Sequence, residues 1–162
     1  MSPVAHSLVG LTLGNLAGRN SPKRAWFLVA GVALANLPDW PLPGWGHDAY
    51  HVSHSLAVNL ALIGLAVLVA RCWLDARSLA FLALAWLSHL LLDSLYNHGK
   101  GVQIGWPLTD FRLTLPIPWL QTLEIQQPLS WRNLSVALLE LLTFAPLALL
   151  GWWMAKERQA SR

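Results

Sequence analysis

Five apolar stretches dominate the chain and restrict what it can become: Val4 to Gly18, Ala25 to Leu37, Ser55 to Ala70, Ser78 to Leu92 and Leu134 to Ala155. Of its 162 residues, 55% are hydrophobic and 12% charged, against roughly 45–50% and about 25% in ordinary soluble domains. That is more apolar side chain than one water-soluble core of this length can hide, so a soluble enzyme is excluded. Each stretch is expected to be helical in lipid, where backbone polar groups must be satisfied within the segment. The expected architecture is all-α, an integral membrane bundle of about five helices with a long outer loop. It reads as one domain over 1–162, with the site-bearing part in 1–110 and a C-terminal membrane helix at about 134–155. At about 1.5 Å per residue, against a hydrocarbon core of about 30 Å, only the last stretch spans without help from its flanks. The first two are short, and span by thinning the bilayer or form a hairpin entering from one side; spanning is the expectation.

Local signals bracket these stretches. Ser21 followed by Pro22 reads as an N-cap with proline at the first helical position, and Pro38 stops the second stretch after Leu37. Gly10, Gly14 and Gly18 recur at intervals of four in the first stretch, a small-residue stripe that lets another helix approach closely, and His6 falls on the same face. No basic region precedes that stretch and no small-residue cleavage site follows it, so it is expected to be retained.

The net charge of +3 suggests a nucleic-acid partner only if the cations form one patch. They do not. Arg19, Lys23 and Arg24 share one linker, Arg71 and Arg77 another, and Lys156, Arg158 and Arg162 the C-terminal tail. This is the positive-inside pattern, so these linkers and the C-terminus are expected in the cytoplasm and no nucleic acid is expected. Trp positions agree: Trp26, Trp73, Trp152 and Trp153 fall at the inner boundary, and Trp40, Trp45, Trp106, Trp119 and Trp131 at the outer one. The loop 94–132 is rich in proline, Leu and Trp, and is expected to lie on the membrane.

The topology has a chemical consequence. His6, Asp39, His54, His89 and Asp93 all fall at the outer ends of their segments, and the six histidines are all on that side. His89 and Asp93 in SHLLLD are one helical turn apart, so both project from one face. Such a pair either ligates a metal or forms a buried polar link between helices; inside a membrane segment ionisable residues are costly, and ligation is the reading adopted. Asp39 follows a helix end and is otherwise a turn residue. His54, in HVSHSL, is otherwise interfacial, with Ser53 capping the next helix, and His6 is otherwise a hydrogen-bonding partner to a neighbouring helix. Three His and two Asp without sulfur suit zinc, or manganese or iron, since Cys72 is the lone cysteine. Five candidates fit an open mononuclear site or a binuclear site with a bridging carboxylate. Around them, His47, Asp48 and His51 are either supporting or surface groups, and His98 with Lys100 and Arg112 could meet a substrate phosphate. Glu140 is expected to face the bundle, with no partner assigned.

The order of an N-terminal His in a glycine-bearing helix, LPD (37–39), HS (54–55), HLLLD (89–93) and a downstream Gly with WP (106–107) resembles the YdjM-like family. Its members are described as LexA-binding, inner-membrane metal-dependent hydrolases, and the resemblance covers about residues 1–110. It implies that His6, Asp39, His54, His89 and Asp93 form the metal site, with Asp39, His89 and Asp93 as catalytic residues. The chain departs from the family's His-Arg, a few residues, His-Ser pattern: His51 is three before His54, and Val52 replaces the Arg. A more distant similarity of His and Asp usage is to zinc phospholipases C and related nucleases. The expectation is therefore a multi-pass protein of the bacterial inner membrane whose outer-face site hydrolyses an ester or phosphoester, with lipid among the candidate substrates. One rival is a small transporter or channel using the same cluster, against which stands the scarcity of inner-half polar groups beyond Thr12, Asn15, Asn59 and Glu140. The other is a non-catalytic metal-binding membrane protein with every coordination position filled.

Overall fold

A computed structural model describes residues 3–46, 48–97, 100–124 and 126–160, with side chains up to 153. The chain is all-α: α1 (Pro3–Ala17), α2 (Arg24–Asn36), a 3-10 turn (Leu37–Asp39), α3 (Tyr50–Ser53), α4 (Leu56–Ala70), α5 (Ala76–Ser94) and α6 (Trp131–Ala160). Among the described residues, the segment between α5 and α6 contributes two isolated bridges, Tyr96 with Ile117 and Val102 with Leu113. Among the described residues, two helices are long and apolar enough to cross a membrane, Ala76–Ser94 with 19 residues and the 23-residue stretch Trp131–Trp153 of α6. The helices α1, α2 and α4, of 15, 13 and 15 residues, rise only about 20–23 Å at 1.5 Å per residue.

At four helix starts the local signals differ from those the sequence suggests, each for a physical reason. Ser21 and Pro22 form a turn, with Ser21 Oγ accepting from the Lys23 amide at 3.1 Å, and α2 starts only at Arg24 with Lys23 as a cap that makes no side-chain bond. Ser53 does not cap the helix after His54; Ser55 does, accepting from the Val58 amide. The helix α5 starts two residues before Ser78, because Asp75 caps it by accepting from the Ser78 amide at 2.9 Å and the Ser78 hydroxyl at 2.8 Å. The last begins at Trp131, before its apolar run, with Ser130 Oγ accepting from the Asn133 amide at 3.2 Å.

The core is set by α1, which packs against α2, α5 and α6. Close approach of α1 and α2 depends on glycine: a Cβ on Gly10 would overlap the Gly31 carbonyl oxygen, and one on Gly31 the Gly10 carbonyl oxygen. Ala5, Leu92, Tyr96, Leu120 and Phe144 pack together at one end of the bundle, and Ala17, Phe27 and Leu82 at the other. The outward faces of α4 and α6 remain apolar, with Leu65 61% and Leu149 70% exposed. Rather than lying loose, the 94–132 segment is tied over the first of these ends. The Leu115 and Ile117 amides donate to the carbonyls of Ser94 and Leu95, and the Leu56 amide donates to that of Ile104.

Candidate metal centre

Each ligand-type side chain at this end is placed by a helix terminus. His6 lies one turn into α1, and His89 and Asp93 one turn apart near the end of α5. Asp39 closes the 3-10 turn Leu37–Asp39, which has Pro38 at its centre, and the Trp45 indole holds that turn by donating to the Leu37 carbonyl at 2.8 Å. His54 follows the single turn of α3. Neither α3 nor this placement was foreseen, because four residues are too few to show a helical period.

Ligand atoms of Asp39, His54, His89 and Asp93 all lie within 4.8 Å of one another. His54 Nε2 is 3.0 Å from Asp93 Oδ2 and 3.5 Å from Asp39 Oδ1; His89 Nε2 is 3.4 Å from Asp93 Oδ2 and 3.7 Å from Asp39 Oδ1. The other oxygen of Asp93, Oδ1, meets His6 Nε2 at 3.2 Å, and the His6 ring lies 4.2 Å from that of His89. Asp93 therefore joins three imidazoles, His6 on one oxygen and His54 and His89 on the other. His6, His54, His89 and Asp93 are buried, and Asp39 is partly exposed.

The supporting contacts fix which nitrogen faces inward. His89 Nδ1 donates to the Ala35 carbonyl at 2.8 Å. His54 Nδ1 is 2.8 Å from Ser53 Oγ and 3.2 Å from the Tyr50 carbonyl, and the Tyr50 ring stacks on His54 at 3.8 Å. With Nδ1 engaged in this way, each imidazole turns Nε2 to the centre, the orientation that supporting bonds impose on metal-binding histidines. Asp39 Oδ1 is buried there with no hydrogen-bond partner. A buried convergence of two Nε2 lone pairs and two carboxylates has acceptors in excess of donors, which a cation relieves. The donor set therefore fits a divalent metal bound by nitrogen and oxygen.

Electrostatics at the exposed side follow from the same contacts. Burial opposes ionisation of Asp39, but His54 and the nearby His89 outweigh it and hold its carboxyl below the usual carboxylate range. For His54, burial works against the imidazolium, and Asp39 and Asp93 outweigh it, raising its pKa. The Tyr50 hydroxyl is pushed up by burial and then by Asp93 and Asp39, while Arg112 pulls it back. The Arg112 guanidinium itself donates to Gln103 Oε1 at 2.8 Å. Asp39 also lines a cavity of about 460 Å³ with Ser7, Asn36 and Trp40, so the cluster reaches solvent on its side.

Of the surrounding candidates, His51 is exposed, its ring 5.1 Å from that of Trp106. Lys100 is exposed, and Asp48 Oδ2 accepts from the Gly44 amide. His47 and His98 lie outside the described residues.

Two residues the sequence reading assigned to the inner half belong to this end. Asn59, in the first turn of α4, donates at 2.7 Å to the carbonyls of both Ser53 and Ser55 and accepts from the Trp86 indole at 2.7 Å, pinning the turn that carries His54. Glu140 is fully buried and accepts from the Ala5 amide at 3.1 Å and the Tyr96 hydroxyl at 2.8 Å, bracing the first turn of α1 beside His6. The available signal was a lone amide or carboxylate in an otherwise apolar helix, which marks a buried partner without naming it.

A model of the YdjM inner membrane protein family matches residues 1–160. Inner membrane protein YbcI of Escherichia coli (strain K12) is 35% identical over 127 residues, covering 70% of this chain and 71% of that protein. No solved structure matches. With the match running through every helix and across all five His and Asp residues of the centre, the chain belongs to the YdjM inner membrane protein family.

Proposed function

We propose that this chain is a membrane-bound metal-dependent hydrolase acting on an ester or phosphoester, with lipid a candidate substrate. The observation that carries the reading is the buried convergence of Asp39, His54, His89 and Asp93 ligand atoms, open to a cavity through Asp39. Zinc is the first choice of metal, with manganese or iron as alternatives. His54, His89, Asp93 and Asp39 would hold it, with His6 against the other oxygen of Asp93. Such an ion supplies Lewis acidity and makes hydroxide available near neutral pH.

The residues divide the remaining work. Asp93 keeps three imidazoles in register, and the Ala35 and Tyr50 carbonyls hold the tautomers of His89 and His54. Tyr50 covers one face of His54 and excludes water there. Asp39 is the ligand that faces the cavity, beside the path by which water would enter. Arg112 and Lys100, both exposed, are the cations that would meet an anionic substrate.

Solvent access through Asp39 favours hydrolysis over a closed structural site. The relocation of Asn59 and Glu140 to the cluster end leaves fewer polar groups toward the other end, which favours it over transport. The reading takes the chain as one unit in the inner membrane, with the site on the outer face and the C-terminus cytoplasmic, as the positive-inside pattern requires. The test is hydrolysis of p-nitrophenyl phosphate esters and fluorescent phospholipids by detergent-purified protein before and after chelation. Turnover that is lost with the metal and restored by zinc or manganese supports the reading. Metal-replete protein inactive across both panels overturns it.

A further inference from the structure

At the end of the bundle remote from the His/Asp cluster lies a cavity of about 550 Å³, formed where the α1–α2 linker faces the α4–α5 linker. Its size is that of a small-ligand site. Lys23 and Arg77 line it, together with the polar side chains of Asn20 and Ser21. Arg77 is held in place, donating to the Leu16 carbonyl at 2.9 Å at the end of α1 and lying over the Phe81 ring. Asp75 also lines the cavity, but its carboxylate is engaged as the cap of α5 by the Ser78 amide and hydroxyl. Trp26 and Trp73 flank the cavity and are 52% and 76% exposed, as indoles at a headgroup boundary are.

A second feature continues from the first. Trp26 and Leu74 line both this cavity and a groove of about 360 Å³ between α2, α4 and α5. The groove has a wholly apolar lining, with Ala30, Ala66 and Ala83 among Leu, Ile and Val side chains and Trp86 beside them. From Trp26 to Leu34 it follows α2 for about 12 Å at 1.5 Å per residue, most of the roughly 15 Å hydrocarbon depth of one leaflet. A cationic pocket at headgroup level opening into an apolar channel one leaflet deep has the shape and charge of a single phospholipid.

We infer that this cavity and groove form a binding site for one anionic phospholipid, its phosphate between Lys23 and Arg77 and an acyl chain in the groove between α2, α4 and α5. Basic pockets between membrane helices take such headgroups. The groove distinguishes a lipid from free phosphate, since only a lipid needs both halves. The site shares no residue with the His/Asp cluster, so it concerns retention and placement in the bilayer and is independent of the hydrolytic reading.

The test is native mass spectrometry of the full-length, detergent-purified protein titrated with dioleoyl phosphatidylglycerol, dioleoyl phosphatidylcholine or inorganic phosphate. Wild type is expected to retain one phosphatidylglycerol in preference to phosphatidylcholine, each cation contributing about fivefold. K23Q, at an exposed position, should reduce that preference by about that factor while leaving binding of phosphatidylcholine unchanged. A66F, which fills the groove, should weaken both lipids and leave the metal content as in wild type. Equal retention of the two lipids by wild type, unaltered lipid binding in both variants, or tight binding of inorganic phosphate unaffected by A66F would each overturn the inference.

Discussion

His54 and His89 face each other Nε2 to Nε2 across 3.3 Å, each with its Nδ1 turned to a backbone carbonyl. Two lone pairs at that distance in a buried site repel unless a proton or a cation lies between them. The same nitrogens lie against both oxygen donors of the cluster, Asp39 Oδ1 and Asp93 Oδ2. The arrangement is therefore strained toward binding a positive charge, and the supporting residues can be tested through it.

Asn59 holds the His54 turn through two carbonyls and satisfies the Trp86 indole. N59A should destabilise the protein by about 1–3 kcal/mol, because it leaves buried groups unpaired. It should also weaken metal binding by roughly 10–100-fold, the usual effect of losing a supporting contact. Thermal unfolding and a metal titration on the same sample check both; unchanged metal affinity would show that the turn holds its position without Asn59.

Glu140 and Tyr96 form a buried pair that braces α1. Y96F and E140Q should each cost about 1–3 kcal/mol. The double variant should cost less than the sum, because the two share one hydrogen bond. A double-mutant cycle by chemical denaturation gives the coupling; strict additivity would mean that the pair is not formed.

Gly10 and Gly31 meet backbone to backbone, whereas a Cβ on Gly64 of α4 meets nothing within 4 Å. G31A should therefore destabilise by about 1–3 kcal/mol or more, since α1 and α2 must move apart. G64A should be neutral or stabilise by up to about 1 kcal/mol through helix propensity. Melting temperatures of the two variants, measured side by side, should move in opposite directions or differ sharply.

The cap at Asp75 sets a pH dependence. Backbone and side-chain hydrogen bonds from Ser78 hold its carboxyl below 3.8, so its stabilisation is complete above 3.8 and is lost as pH falls through the lower folded value. D75A should cost about 1 kcal/mol at neutral pH, and the gap to wild type should close on acidification below 3.8. A gap that persists unchanged in acid would place the contribution elsewhere than in the charged cap.

Much of this site is legible in the chain because its members sit at fixed helical offsets or helix ends. His89 and Asp93 share a face by their spacing alone, Pro38 ends the helix that delivers Asp39, and five polar groups clustering at one set of segment ends already implies a shared location. What the sequence hides is long-range pairing. Glu140 meets Ala5 and Tyr96 across large separations, and no local pattern encodes that. The single turn of α3 is too short for a period, so neither the stacking of Tyr50 on His54 nor the bond from Ser53 could be read. Capping was misplaced at Ser21 because a Ser-Pro pair suits a turn as well as a helix start. The starts of α5 and α6 came out late because their first turns are polar.

Metal binding by the His/Asp cluster is read out by the metal content of detergent-purified protein, wild type beside H89A and D93A. About one or two equivalents of zinc, manganese or iron are expected in wild type and none in either variant, with each variant checked for folding by circular dichroism. Folded wild-type protein that stays metal-free after metal-supplemented growth and gentle purification would contradict metal binding, leaving the cluster as a proton-sharing polar link between helices.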